Sequence, residues 1–121
     1  VIHMTPSKSK YKPDFDQRRK YDLDKYRSWL RLYPDELKAV AETFAAKLNL
    51  AKGPVKMIIP LKGWSGVDRP GQPTYDPAED RVFIDTLKAR LNPQIEILEV
   101  DANMEEPQFA QAVINLALKI L

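Results

Sequence analysis

Residues 54–80 read Pro-Val-Lys-Met-Ile-Ile-Pro-Leu-Lys-Gly-Trp-Ser-Gly-Val-Asp-Arg-Pro-Gly-Gln-Pro-Thr-Tyr-Asp-Pro-Ala-Glu-Asp. Val55, Met57, Ile58 and Ile59 form a short apolar run of the kind that makes a buried strand, ended by Pro60. A loop rich in Gly and Pro follows. It closes at Asp76-Pro77, an N-cap followed by proline in the first helical turn, with Glu79 at capping-box spacing. Strand, long loop and helix N-terminus is the layout in which open α/β sheets build ligand sites.

The flanks extend the pattern. Upstream, Pro34-Asp35-Glu36 opens a helix whose apolar face is Leu37, Val40, Ala41, Phe44, Ala45 and Leu48, and Asn49 and Gly53 end it. Downstream, the helix from Pro77 turns Phe83, Ile84, Leu87 and Leu91 inward and stops at Asn92-Pro93. Ile95 to Val100 is a second strand whose alternating glutamates fit a sheet edge. A last helix starts at Glu106-Pro107, with Phe109, Val113, Leu116, Ala117 and Ile120 at helical spacing. Ser28 to Leu32 reads as a short strand or a helix entry, and Val1 to Met4 as a further strand.

Helices alternating with strands predict a parallel sheet. The expected fold is a small three-layer α/β domain over residues 1–121, Rossmann-like or flavodoxin-like, within a larger two-lobed protein. Two or three strands make a thin sheet that leaves an edge or face uncovered. That favours reading Val1 to Pro6 as the tail of a native strand over a cloning remnant ending in Met4. It also predicts a partner: an N-terminal lobe of the same protein or another subunit, with homo-oligomerisation expected.

Composition narrows the class. The net charge of +2 is too small to imply a nucleic-acid partner by itself. Without cysteine there are no disulfides or thiolate metal sites, and a single histidine, His3, rules out a multi-histidine metal site. No apolar run approaches the roughly 18 to 20 residues of a membrane span, and a cytoplasmic location is the default. Residues 7–27 hold Lys8, Lys10, Lys12, Arg18, Arg19, Lys20, Lys25 and Arg27 among Tyr11, Phe15, Tyr21 and Tyr26. Such a mixture can bind RNA. Four interspersed aspartates, Asp14, Asp16, Asp22 and Asp24, favour a solvated basic connector anchored by its aromatics.

Lys62-Gly63-Trp64-Ser65-Gly66-Val67-Asp68-Arg69-Pro70-Gly71, then Pro73, Tyr75-Asp76-Pro77 and Asp80, resembles the C-terminal lobe of the uncharacterised family typified by the tomato tobamovirus-resistance protein, the Tm-one-like ATP-binding proteins. Members share the strand ending in Pro, the Gly-x-Ser turn, the Asp, the Pro-Gly and the Asp-Pro helix start. Asp101 to Phe109 is similar to the family's next strand-to-helix loop, and Arg31 to Asn49 to the helix before the strand. Around residues 22–27 many relatives have His-Asn-Pro where this chain has Leu23-Asp24-Lys25. The resemblance implies a two-lobed protein of which this chain is roughly the last third. It further implies ATP, with Mg²⁺, as ligand, the Gly-rich N-terminal lobe sharing in nucleotide binding.

The residues themselves support anion binding. Lys62, the Ser65 hydroxyl and the N–H groups of Gly63 and Gly66 can hold a phosphate or carboxylate. Asp68 or Asp76 can hold Mg²⁺ beside phosphate oxygens. There is no Walker-type Gly-x4-Gly-Lys-Ser/Thr. The glycines can equally serve tight turns, with Asp76 a cap and Lys62 solvated. Trp64 either stacks on a ring or pins the loop to the core. Asp101 and Asn103 are expected at the same edge of the sheet. Ser65 has no histidine within its own segment, so a Ser-His-acid set requires the fold to bring His3 to it. The expected ligand-binding set is therefore Lys62, Gly63, Trp64, Ser65, Gly66, Asp68, Asp101 and Asn103, with no residue assigned to catalysis. The alternative is an interaction or oligomerisation module with no small-molecule site of its own.

Overall fold

The structure is a computed structural model and describes residues 2–120. Val1, part of the expected first strand, lies outside the described residues. In chain order the elements are β1 (His3–Met4), β2 (Lys20–Asp22), β3 (Ser28–Arg31), α1 (Pro34–Leu48), β4 (Lys56–Pro60), α2 (Pro77–Arg90), β5 (Glu96–Val100) and α3 (Pro107–Ala117). Two 3-10 turns, Lys8–Lys10 and Phe15–Gln17, lie between β1 and β2.

The expected parallel pair is present. β4 and β5 run parallel, in register from Lys56 opposite Glu96 to Pro60 opposite Val100. Alternation along the strand divides the packing. Met57 and Ile59 belong to the core made with Leu37, Ala41, Ala45, Phe83, Ile84 and Leu87 of α1 and α2. Ile58 packs with Val100, Ala102 and, from α3, Phe109 and Ala112. The helices therefore lie on both faces of the pair.

The N-terminal strands depart from the expected parallel arrangement. β1 and β2 both pair antiparallel with β3, in a separate sheet of order β1-β3-β2. The basic segment is thus folded structure. Arg18 is buried, bonded to Asp14 and Glu36, and its guanidinium lies 4.1 Å from the centre of the Tyr33 ring. Arg19 binds Asp76 and Glu79. Burial takes Arg18 from the RNA surface considered above, while the Arg19 side chain stays 41% exposed.

The caps follow the sequence. The Asp76 carboxylate accepts the Glu79 N–H at 3.0 Å. Only half of a capping box forms, because the Glu79 carboxylate is taken by Arg19 and Arg31. At α1, Glu36 reaches back to the Tyr33 N–H at 2.8 Å. Phe44, expected inside, stays 38% exposed and meets Phe83 edge-on. Val113 and Ile120, both expected at the apolar spacing of the last helix, are each 39% exposed; α3 buries Phe109 and Leu116 and ends at Ala117, before Ile120. No helix of the described residues is long and apolar enough to cross a membrane.

Candidate functional site

The loop from Leu61 to Tyr75 leaves the C-terminal end of β4 and is pinned from two sides. The first pin is Arg31, at the end of β3 and only 2% exposed. Its Nη1 donates to Asp68 Oδ1 at 3.1 Å and to the Thr74 carbonyl at 2.7 Å. Its Nη2 donates to Asp80 Oδ1 at 2.5 Å and to the Asp76 carbonyl at 3.1 Å, and Nε donates to Glu79 Oε2 at 2.8 Å. A planar guanidinium has five fixed donors, and every nitrogen here is used. Burial, reinforced by the neighbouring Asp68 carboxylate, pushes the Asp80 carboxyl up to about 7. Burial also raises Asp68. Both carboxylates are bridged by Arg31, through Asp68 Oδ1 and Asp80 Oδ1.

The second pin is Asn103, in the loop after β5. Its Nδ2 donates to the carbonyls of Lys62, Ser65 and Asp68, each at 3.1 Å. Gly63 makes the close approach possible. Its φ is +105°, and a Cβ built there would lie 1.7 Å from the Asp68 carbonyl oxygen. The Gly63 carbonyl then accepts the Met104 N–H at 3.0 Å. Loops after β4 and β5 are in this way sewn into one surface at the C-terminal ends of both parallel strands.

A cleft of about 260 Å³ opens on that surface, lined by Lys62, Arg69, Pro70, Asn103, Glu105 and Glu106. Lys62 is half exposed and pairs with Asp101 at 3.0 Å, which raises its pKa. Gly66 donates its N–H to Glu105 Oε1 at 2.8 Å.

The structure brings Lys62, Gly66 and Asp101 to this surface, sets the nearly buried Asn103 in the cleft wall and Gly63 beneath it, and gives the other expected residues different places. Asp68 is fully buried, with Oδ1 on Arg31 and Oδ2 on the Trp64 N–H at 2.9 Å, so it shapes the loop from beneath. Trp64 packs edge-on against Phe83 with ring centres 5.2 Å apart and joins the core. Ser65 Oγ and His3 Nε2 are both buried and without a hydrogen-bond partner among the described residues, so they do not form a nucleophile and base pair. His3 stands opposite Arg31 in the antiparallel sheet. Burial, and then the charge of Arg31, lower its pKa to about 4.

Magnesium fits these residues poorly. Asp68 is committed to Arg31, Asp76 caps α2 and meets Arg19, and Asp101 pairs with Lys62. No group of three or more metal-ligating side chains occurs among the described residues. Arg69, Glu105 and Glu106 were absent from the expected set. Their signal was local: Arg69 directly follows Asp68, and the two glutamates lie within three residues of Asn103. Arg31 and Asp80 carried no such signal for the loop they organise.

Residues 2–121 match the family described as the uncharacterised protein family (UPF0261) C-terminal domain. A UPF0261 protein of Clostridium tetani is 28% identical over 109 residues, which are 89% of this chain and 27% of that protein. The ToMV resistance protein Tm-1(GCR237) of Solanum lycopersicum is 30% identical over 110 residues, 89% of this chain and 15% of that protein. A UPF0261 protein of Brucella suis is 38% identical over 77 residues, 64% of this chain and 18% of that protein. The matched stretch thus spans 15% to 27% of these relatives, less than the third expected from the resemblance.

Proposed function

The chain belongs to this family as a UPF0261 C-terminal domain, and we propose that it supplies the phosphate-binding wall of a cleft for a nucleotide or phosphometabolite, completed by an N-terminal lobe. One observation carries this: Lys62 and Arg69 line a cleft at the C-terminal ends of two parallel strands, on a loop held rigid by Arg31 and Asn103. Ligands of open α/β sheets bind at that end of the strands. ATP is the first ligand to test. Any Mg²⁺ arrives with the nucleotide, since no carboxylate set for it occurs among the described residues.

The need for a second lobe rests on β4. It is apolar toward both faces, as an interior strand of a parallel sheet is, yet β5 is its only strand partner among the described residues. A strand from the rest of a full-length protein on that edge would extend the pair toward the three-layer, Rossmann-like sheet expected from the sequence. Such a protein would work in the cytoplasm, where nucleotides and phosphometabolites occur.

Calorimetric titration of ATP, with and without Mg²⁺, into the chain and into Lys62→Ala tests the proposal. Loss of a lysine–phosphate contact of about 1 kcal/mol weakens binding about fivefold. Equal binding by both proteins contradicts it. A second reading, an oligomerisation module, is favoured by Ile114 and Leu118 of the α3 end, which are 52% and 68% exposed. It predicts that Ile114→Ser and Leu118→Ser shift the oligomeric state in sedimentation while Lys62→Ala does not.

A further inference from the structure

The anion-binding groups of the loop are covered by carboxylates of the same chain. Asp101 Oδ2 lies 3.0 Å from Lys62 Nζ. Glu105 Oε1 accepts the Gly66 N–H at 2.8 Å. A Cβ built on Gly66 would stand 2.7 Å from Glu105 Oε2, so the carboxylate lies close against the bare face of the glycine. Both acids come from the loop that follows β5, and Asn103 stands between them. Asn103 holds the 62–68 loop through Nδ2 and the Glu105 N–H through Oδ1, at 3.0 Å. The loop that shapes the site therefore also delivers the acids that fill it.

We propose that Asp101 and Glu105 act as an internal anion, occupying Lys62 and the Gly66 amide until a ligand's phosphate takes their place. This rests on the phosphate-binding reading and adds the regulation of that site. The exchange is chemically even, because an N–H or ammonium donor passes from one anionic oxygen to another. The Glu105 side chain is otherwise exposed and has no other side-chain hydrogen bond among the described residues, so it is free to swing outward. Arg69 lines the same cleft and has no ion-pair partner among the described residues, which leaves it open to the incoming anion. A ligand without a compact anionic group gains nothing from the exchange.

The test uses pyrophosphate as the probe. Its affinity is measured by calorimetry at low salt for the chain, Glu105→Ala, Glu105→Gln, Asp101→Asn and Lys62→Ala. Removing a like charge from beside a bound anion predicts about tenfold tighter binding in Glu105→Ala and Asp101→Asn, with the gain shrinking as salt screens it. Lys62→Ala weakens binding. If Lys62→Ala weakens binding while the acidic-loop variants match the wild type, the internal anion is overturned and the phosphate site stands. If no variant binds pyrophosphate, both fall. A second readout needs no ligand: the Gly66 amide, bonded to Glu105 Oε1, exchanges its hydrogen faster in Glu105→Ala than in the wild type. Equal exchange in the two proteins overturns the Glu105 contact.

Discussion

Arg31 Nη1 lies 3.1 Å from Asp68 Oδ1, with the two side chains 2% and 0% exposed. The pair ties the end of β3 to the middle of the 61–75 loop, across 37 residues of sequence. Removing the guanidinium leaves Asp68 and Asp80 buried without their cation. Breaking a buried pair from one side costs about 3–5 kcal/mol. Arg31→Met is therefore expected to lower unfolding stability in urea by that amount. Arg31→Lys restores little of it, because an ammonium cannot reproduce the forked geometry.

The Asp80 carboxyl is raised to about 7 in the folded chain, by burial first and then by Asp68. In the unfolded chain it titrates near 3.9, as an ordinary aspartate does. The folded state binds this proton more tightly, so the stability it contributes is complete below about pH 3.9 and is lost as pH rises through about 7. Asp76 acts in the opposite sense. The Glu79 N–H and then Arg19 lower its pKa, so its contribution is present above the unfolded value and lost on acidification. The stability difference between wild type and Asp80→Asn isolates the Asp80 part. It is expected to decline between pH 4 and 7, by no more than about 1.4 kcal/mol per unit, and to level off above pH 8. A difference independent of pH would refute the raised Asp80 carboxyl.

Gly63 and Gly71 both have positive φ, +105° and +88°, but only Gly63 is crowded. At Gly71 a Cβ meets nothing within 4 Å. Gly71→Ala is expected to cost about 1–2 kcal/mol, the left-handed penalty alone. Gly63→Ala adds a 1.7 Å clash with the Asp68 carbonyl and should displace the loop altogether. Thermal unfolding compares the two, and equal losses would count against the packed loop.

Asn103→Asp keeps the size of the side chain and removes the Nδ2 donors to three carbonyls. Each buried acceptor left unpaired costs about 1–3 kcal/mol. Hydrogen exchange in that variant is expected to speed up at Leu61, Lys62 and Asp68, whose amides bond within the sewn loops, and to stay unchanged in α1.

How much was legible depended on whether the signal was local. Asp76-Pro77 with Glu79 announced the start of α2, and Phe83, Ile84 and Leu87 fell inside as their spacing required. β4 was visible as an apolar run ended by proline. The antiparallel sheet was not, because β1 and β2 are two and three residues long and two of the three β2 residues, Lys20 and Asp22, are charged. Arg31 looked like any strand-end arginine. Its partners Asp68 and Asp80 are 37 and 49 residues away, and only the fold brings them together. The same holds for Asp68: an aspartate in a Gly-rich loop suggested a ligand contact, whereas the folded chain uses it underneath the loop. The convergence of Lys62 and Asn103 on one cleft was legible because strand ends in a parallel pair meet at one edge.

The central claim is that this domain presents an anion-binding surface at the ends of β4 and β5. The most direct measurement is a titration of ATP into the isotope-labelled chain, followed residue by residue through its amide resonances. The account predicts saturable shifts concentrated at residues 62–69 and 101–106, lost in Lys62→Ala. Shifts confined to other surfaces, such as the exposed face of α1 around Val40 and Phe44, or none at all in the folded chain, would contradict it.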